Sequence, residues 1–205
     1  MNYEILISFI GASILLTLMP GPDILYVLMQ SISIGKKQGI ITALGLVSGI
    51  IIHTTLVAFG VSAIIKQSEN LFFGLKVFGA LYLLFLAYKS LKSKEVIALN
   101  TNISTINSWK LYKKGFIMNV INPKVSIFFL AFFPGFLYSS NQNTIIQFYV
   151  LGIIFMIQAL LIFTLVSIVS GQLSSYLKSH KSFARNLKWF KVLIFVAIAF
   201  FILFS

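Results

Sequence analysis

The sequence predicts an all-α membrane protein of about six transmembrane helices, arranged as two three-helix halves. Three observations carry the prediction: an apolar composition, apolar stretches long enough to cross a bilayer, and basic residues gathered in the short segments between them. The chain is 59% hydrophobic and only 10% charged over 205 residues, a balance that a water-soluble core of this size neither needs nor could cover. A helix needs roughly 20 apolar residues to cross about 30 Å of hydrocarbon. Stretches of that order fill most of the chain and leave no soluble domain over.

The first stretch runs from Ile5 to Ile34. Continuous, it would be about 45 Å long at 1.5 Å per residue, and it contains Pro20, Gly21 and Pro22, so a broken helix is expected rather than a tilted one. The second, Ile40 to Ile65, holds a Gly-x-x-x-Gly pair, Gly45 and Gly49, four residues before His53; such a pair lets a neighbouring helix approach closely. The third runs from Leu71 to Leu91. Residues 92–112 then form a polar connection, with Asn100, Thr101, Asn102, Ser104, Thr105, Asn107 and Ser108. The fourth, Gly115 to Tyr138, is interrupted by Pro123 and Pro134; the fifth, Ile145 to Leu173, contains Gln158; the sixth is Trp189 to Phe204.

The connection divides the chain into a single membrane domain of two halves, residues 1–91 and 113–205. Three spans is an odd number, so halves that share a fold must face opposite ways, as inverted repeats. The sequence echo of such a repeat is that each half opens on a proline-broken helix. Lysine and arginine follow spans one, three and five, at Lys36 and Lys37, at Lys89 to Lys114, and at Lys178 to Lys191, while the other side has little beyond Lys66 and Lys76. These basic loops, 92–112 among them, are expected in the cytoplasm. Six full spans then put both termini outside; a re-entrant first segment puts the N-terminus inside, with five crossings. The start, Met1-Asn2-Tyr3-Glu4, lacks the basic region of a signal peptide, and the stretch after it is expected to stay attached.

With no cysteine, thiolate metal sites, iron–sulfur clusters and disulfide exchange are excluded. The net charge of +12 follows membrane topology rather than a nucleic-acid surface. A membrane-embedded enzyme would need a nucleophile, an acid–base pair or an arginine cluster, and Arg185 is the one arginine, so no catalytic residue, metal site or cofactor is expected. The basic aromatic stretch Lys178 to Lys191 has the character of an anchor for anionic lipid.

Of four acidic residues, Glu4, Glu69 and Glu95 fall near span ends or in loops, which leaves Asp23 deep in an apolar stretch. An unpaired carboxylate there costs on the order of a few kcal/mol and persists mainly where it lines a pathway. The plain structural alternative is that Asp23 caps the half-helix beginning at Pro22. Pro20-Gly21-Pro22 itself removes backbone groups from the helical ladder, tolerable in hydrocarbon only where protein or trapped water satisfies them. Asn122-Pro123-Lys124 repeats the device with a cation in place of the acid. Lys124 either pairs with Asp23, contacts a substrate or snorkels to the surface. The Asn122 amide suits backbone groups freed by Pro123, with Asn119 on the same face. His53 is suited to relaying protons or orienting a substrate, and equally to a hydrogen bond between helices. The phenylalanines at 128, 129, 132, 133 and 136 read mostly as packing.

Pro20-Gly21-Pro22-Asp23, Gly45 to His53, Gly79-Ala80-Leu81-Tyr82-Leu83, Asn122-Pro123-Lys124 and Phe132-Phe133-Pro134, in this order and at similar spacing, resemble the lysine exporter (LysE/RhtB) family of bacterial amino-acid efflux proteins. The resemblance covers almost the whole chain. It implies secondary transport that carries amino acids or close derivatives out of the cytoplasm, driven by a proton or ion gradient, in the inner or plasma membrane of a bacterium. The expected partners are an amino-acid substrate, the lipid bilayer and that gradient, with a homo-oligomer left open. The expected site is Pro20, Gly21, Pro22, Asp23, His53, Asn122, Pro123 and Lys124. Divalent-metal efflux is the main alternative, poorly supplied with ligands here; an accessory subunit is a further one.

Overall fold

A computed structural model describes residues 3–92, 107–139, 141–170, 172 and 181–204. Residues 93–106 of the connection and 178–180 of the basic stretch lie outside the described residues. The chain is helical, with no strand among the described residues. Helix α1 spans Tyr3–Leu18 and α2 Pro22–Ser33; α3, Lys36–Leu56, continues through a π-helical turn at Val57–Val61 into α4, Ser62–Gln67; α5 spans Glu69–Lys92. In the second half α6 is Ser108–Val120; α7, Pro123–Ile127, passes through a π-helical turn at Phe128–Phe132 and a 3-10 turn at Phe133–Phe136; α8 is Thr144–Ile168 and α9 Lys181–Phe204.

The helix starts follow from local chemistry. Asn107, Asn122 and Asn143 cap α6, α7 and α8, each side chain accepting from the backbone N–H two residues on, at 2.9, 3.0 and 2.9 Å. Pro22 and Pro123 stand first in α2 and α7, where a missing N–H costs nothing. Gly35, before α3, has φ +134°, a conformation that side chains disfavour.

Among the described residues, three unbroken helices are long and apolar enough to cross a membrane: Lys36–Ile64, Asn70–Lys92 and Thr144–Ile168. Two bent pairs raise the number to five, α1 with α2 at 57° and α6 with Pro123–Phe136 at 46°, and the proline breaks fall where the sequence places them. The apolar part of α9, Trp189–Leu203, is shorter than a full crossing. The chain is an all-α membrane protein.

Helix α3 is central, packed on α2, α6 and α8, while α5 pairs with α9 at the side. The glycine pair makes the tightest seam. A methyl group on Gly45 would run into the Tyr112 carbonyl, one on Gly49 would lie 2.7 Å from Asn119 Oδ1, and one on Gly115 of α6 would lie 2.5 Å from the Thr42 carbonyl. From Tyr112 beside Gly45 to Asn119 beside Gly49 and His53 the contacts ascend on both helices, so α3 and α6 run parallel. Gly39 faces Ser167 and Gly152 faces Thr54, so α3 and α8 run antiparallel. Beneath the broken fourth helix lies an aromatic core: Phe9 meets Phe133 edge-on at 5.4 Å, and Phe129 stacks on Phe133 at 4.4 Å. The phenylalanines therefore pack, as expected of them. Leu15, Ile51, Phe78, Leu81, Ile153, Leu161 and Leu193 face outward, as a lipid-facing surface requires.

Candidate functional site

The two helix breaks lie against each other. An α-helical carbonyl accepts from the N–H four residues on, so Pro20, which has none, leaves the Leu16 carbonyl without its partner. The buried Lys124 ammonium supplies the replacement, donating to the Leu16 carbonyl at 3.2 Å and to the Met19 carbonyl at 3.4 Å. By the same rule Pro123 frees the Asn119 carbonyl. That oxygen accepts from the Asn122 N–H at 2.9 Å and from His53 Nε2 at 3.2 Å. A carbonyl only accepts, so Nε2 carries the hydrogen.

Between the breaks, Asn122 Nδ2 donates to Asp23 Oδ2 at 2.6 Å. Asn122 thus caps its own helix with its oxygen and holds the acid of the other helix with its nitrogen. Asp23 is 3% exposed and its Oδ1 has no protein partner. Its carboxylate bonds across to Asn122 rather than to the N–H groups of α2, so capping is not its hydrogen-bonding role. Lys124, 7% exposed, does not snorkel: it points at α1. Asp23 and Lys124 therefore bring opposite charges to one buried place, where each lowers the cost of burying the other.

The cavity there is lined by Thr17, Asp23, Asn119 and Lys124 on its polar side and by Ile50, Phe155 and other apolar groups opposite. Its water-accessible space is about 10 Å³, enough for about one water molecule. The polar wall extends to α8, where Gln158 Nε2 donates to Thr17 Oγ1 at 3.0 Å and Thr17 donates to the Ser13 carbonyl at 2.8 Å.

Of the residues expected at the site, Asp23 and Asn122 meet side chain to side chain, and Lys124 lines the same cavity as Asp23. Pro20 is buried at the break, Gly21 brings its backbone beside the Lys124 ammonium, and Pro22 and Pro123 are exposed and act through the backbone they shape. His53 stands one layer back, under Asn119 and 5.6 Å from the Phe129 ring. Thr17 was not singled out by the sequence. The available signal was a hydroxyl one turn before Pro20 in a largely apolar helix. Among the described residues no three His, Cys, Asp or Glu side chains gather as a metal site would require.

A bundle of apolar helices, with two broken helices meeting around a buried carboxylate and a buried ammonium, defines a multi-pass membrane protein with charged groups in its interior. The family model described as "LysE type translocator" matches residues 14–205, and the chain belongs to that family. It is 28% identical to a homoserine/homoserine lactone efflux protein of Salmonella typhimurium, over 88% of this chain and 87% of the relative. It is 32% identical to a leucine efflux protein of Salmonella choleraesuis, over 71% and 69%, and 27% identical to an uncharacterized membrane protein of Vibrio cholerae, over 93% and 92%. No solved structure matches the chain. The family and these relatives make it a multi-pass bacterial membrane protein.

Proposed function

We propose that the chain exports amino acids or close derivatives from the cytoplasm, in exchange for protons. Family membership and relatives named for efflux of homoserine and of leucine support export of this class of solute. The observation that supports the mechanism is the presence of both Asp23 and Lys124 in the lining of one cavity between two helix breaks. A free amino acid is a zwitterion, with an ammonium and a carboxylate one carbon apart, and it needs one acid and one cation at short range. Asp23 Oδ1, without a protein partner, is the place for the ammonium. Lys124, together with backbone N–H groups at the start of α2, is the place for the carboxylate.

The structure is closed, because space for about one water does not hold an amino acid. Lys124 couples binding to opening. In the closed form its ammonium ties down the freed carbonyl end of α1; a substrate carboxylate that takes over the ammonium releases that end. On the return step a proton replaces the substrate ammonium at Asp23, so the carboxyl crosses neutralised in both directions. The halves 1–91 and 113–205 work in this scheme as inverted repeats. α3 and α8 are the second spans of the two halves, and their antiparallel packing supports that reading, since inversion makes equivalent helices antiparallel.

The test is efflux of a panel of amino acids from proteoliposomes under an imposed pH gradient. Wild type exports at least one, and Asp23→Asn, correctly inserted, loses the gradient-driven component. Undiminished gradient-driven export by Asp23→Asn sinks the coupling role.

A further inference from the structure

Away from the central cavity, a groove of about 500 Å³ runs along the outside of α6, lined by Lys110, Lys113, Lys114, Ile117, Met118 and Ile121. These residues recur at helical spacing and form a stripe about 16 Å long at 1.5 Å per residue, close to half of a hydrocarbon core of about 30 Å. The stripe is graded. Its first turn carries ammonium groups and its later turns carry apolar side chains, with Ile117 55% and Ile121 71% exposed.

Two of the three lysines lie over aromatic rings, and none forms an ion pair among the described residues. Lys113 lies over Trp109, 5.1 Å from the ring centre, and Lys114 over Tyr26 at 4.7 Å, while Trp109 itself stacks on Tyr112 at 5.3 Å. Tryptophan and tyrosine at this position mark the level of lipid headgroups. With a net charge of +12 and four acids in the whole chain, the positive charge here calls for an outside anion. A comparable groove of about 440 Å³ between α1 and α9 carries no charge, and nothing there selects an occupant.

We infer that the α6 groove is a binding site for an anionic phospholipid, its phosphate among Lys110, Lys113 and Lys114 and an acyl chain along Ile117, Met118 and Ile121. The chain end of the stripe is Ile121, the residue before the Asn122 break. Occupancy therefore stabilises the stretch of helix leading into the break, independently of what the central cavity carries.

Purified protein in neutral detergent is titrated separately with phosphatidylglycerol, phosphatidylcholine and inorganic phosphate, with the thermal midpoint as readout. Phosphatidylglycerol raises the midpoint saturably, by about 5 °C for a site filled well above its dissociation constant, and the other two do not. The rise disappears in K110Q/K113Q/K114Q. An equal rise with phosphatidylcholine, a rise with phosphate alone, or an unchanged response of the triple variant overturns the site. Because these lysines also help to orient the chain, wild-type protein is photolabelled in parallel with phosphatidylglycerol carrying a diazirine in its chain. The peptide holding Ile117 and Ile121 should be labelled several-fold more than that holding Gly11 and Leu15. Equal labelling of the two overturns the proposal.

Discussion

The two helix breaks solve the same problem with different means. At Asn122-Pro123-Lys124 the solution is local: the Asn122 oxygen caps α7, its backbone N–H returns to the Asn119 carbonyl, and the Ser126 hydroxyl donates to the Asn122 carbonyl at 3.1 Å. At Pro20-Gly21-Pro22 two prolines remove donors, Gly21 offers no side-chain cap, and the freed carbonyls of Leu16 and Met19 are satisfied by a lysine more than a hundred residues away. One break is satisfied mainly within its own segment, with His53 a second donor to the Asn119 carbonyl, and the other borrows its donors from that segment. A helix end whose last carbonyls are satisfied by a remote ammonium is the one freed when that ammonium finds another partner. In the proposed mechanism the first break is therefore the mobile member of the pair and the second its frame.

The largest effect should come from removing the borrowed donor. Lys124→Met keeps length and apolar stem but leaves two buried carbonyls unsatisfied and the Asp23 carboxylate without its nearby cation. Hydrogen bonds from a charged group contribute about 1.5–3 kcal/mol each, so export should fall by at least about 100-fold in proteoliposomes. A Lys124→Met protein that is inserted normally and exports at near wild-type rate would end the idea that the first break depends on the second.

Much of this contrast was legible in the sequence, because it rests on what proline lacks. Pro20, Pro22 and Pro123 mark the breaks without knowledge of the fold, and Asp23 and Lys124 stand out as charges in apolar stretches. The partners were not legible. Whether Lys124 reached Asp23, a substrate or the surface depends on which helix faces α7, and sequence spacing does not fix that for residues a hundred positions apart. Gly45 and Gly49 announced a close helix contact, yet not that α6 would fill it and so carry Asn119 under His53. Thr17 and Gln158 were harder still, since a single hydroxyl or amide in a membrane helix often bonds within its own helix, as Thr17 also does to the Ser13 carbonyl.

An intermediate effect is expected at the link between the breaks. Asn122→Ala removes the cap of α7, worth about 1 kcal/mol, and leaves Asp23 Oδ2 without its donor. Export should drop by about 10-fold to 100-fold, with a thermal midpoint lower by about 3–8 °C for two lost bonds in a chain of this size. Asn122→Asp separates the two duties. It keeps a capping oxygen but places a second carboxylate against Asp23, so stability near wild type with export lost would assign the greater share to the Asp23 contact. Equal losses in both variants would mean that Asn122 matters only as a cap.

The smallest effect belongs to the frame itself. His53 donates to the Asn119 carbonyl, but that oxygen also accepts from the Asn122 N–H, so losing the imidazole does not orphan it. His53→Phe should lower stability by about 0.5–1.5 kcal/mol, the net worth of one neutral hydrogen bond, and slow export by no more than about 10-fold. His53→Gln keeps a donor and cannot carry a proton between water and Asp23. If His53 only braces the second break, Gln restores most of what Phe removes and the dependence of export on the pH gradient is unchanged. If His53 relays protons, Gln is as deficient as Phe in gradient-driven export while both still exchange labelled substrate across the membrane. The bracing reading is the one that the bond to a proline-freed carbonyl supports, because a ring nitrogen committed to that oxygen holds its hydrogen where the backbone needs it.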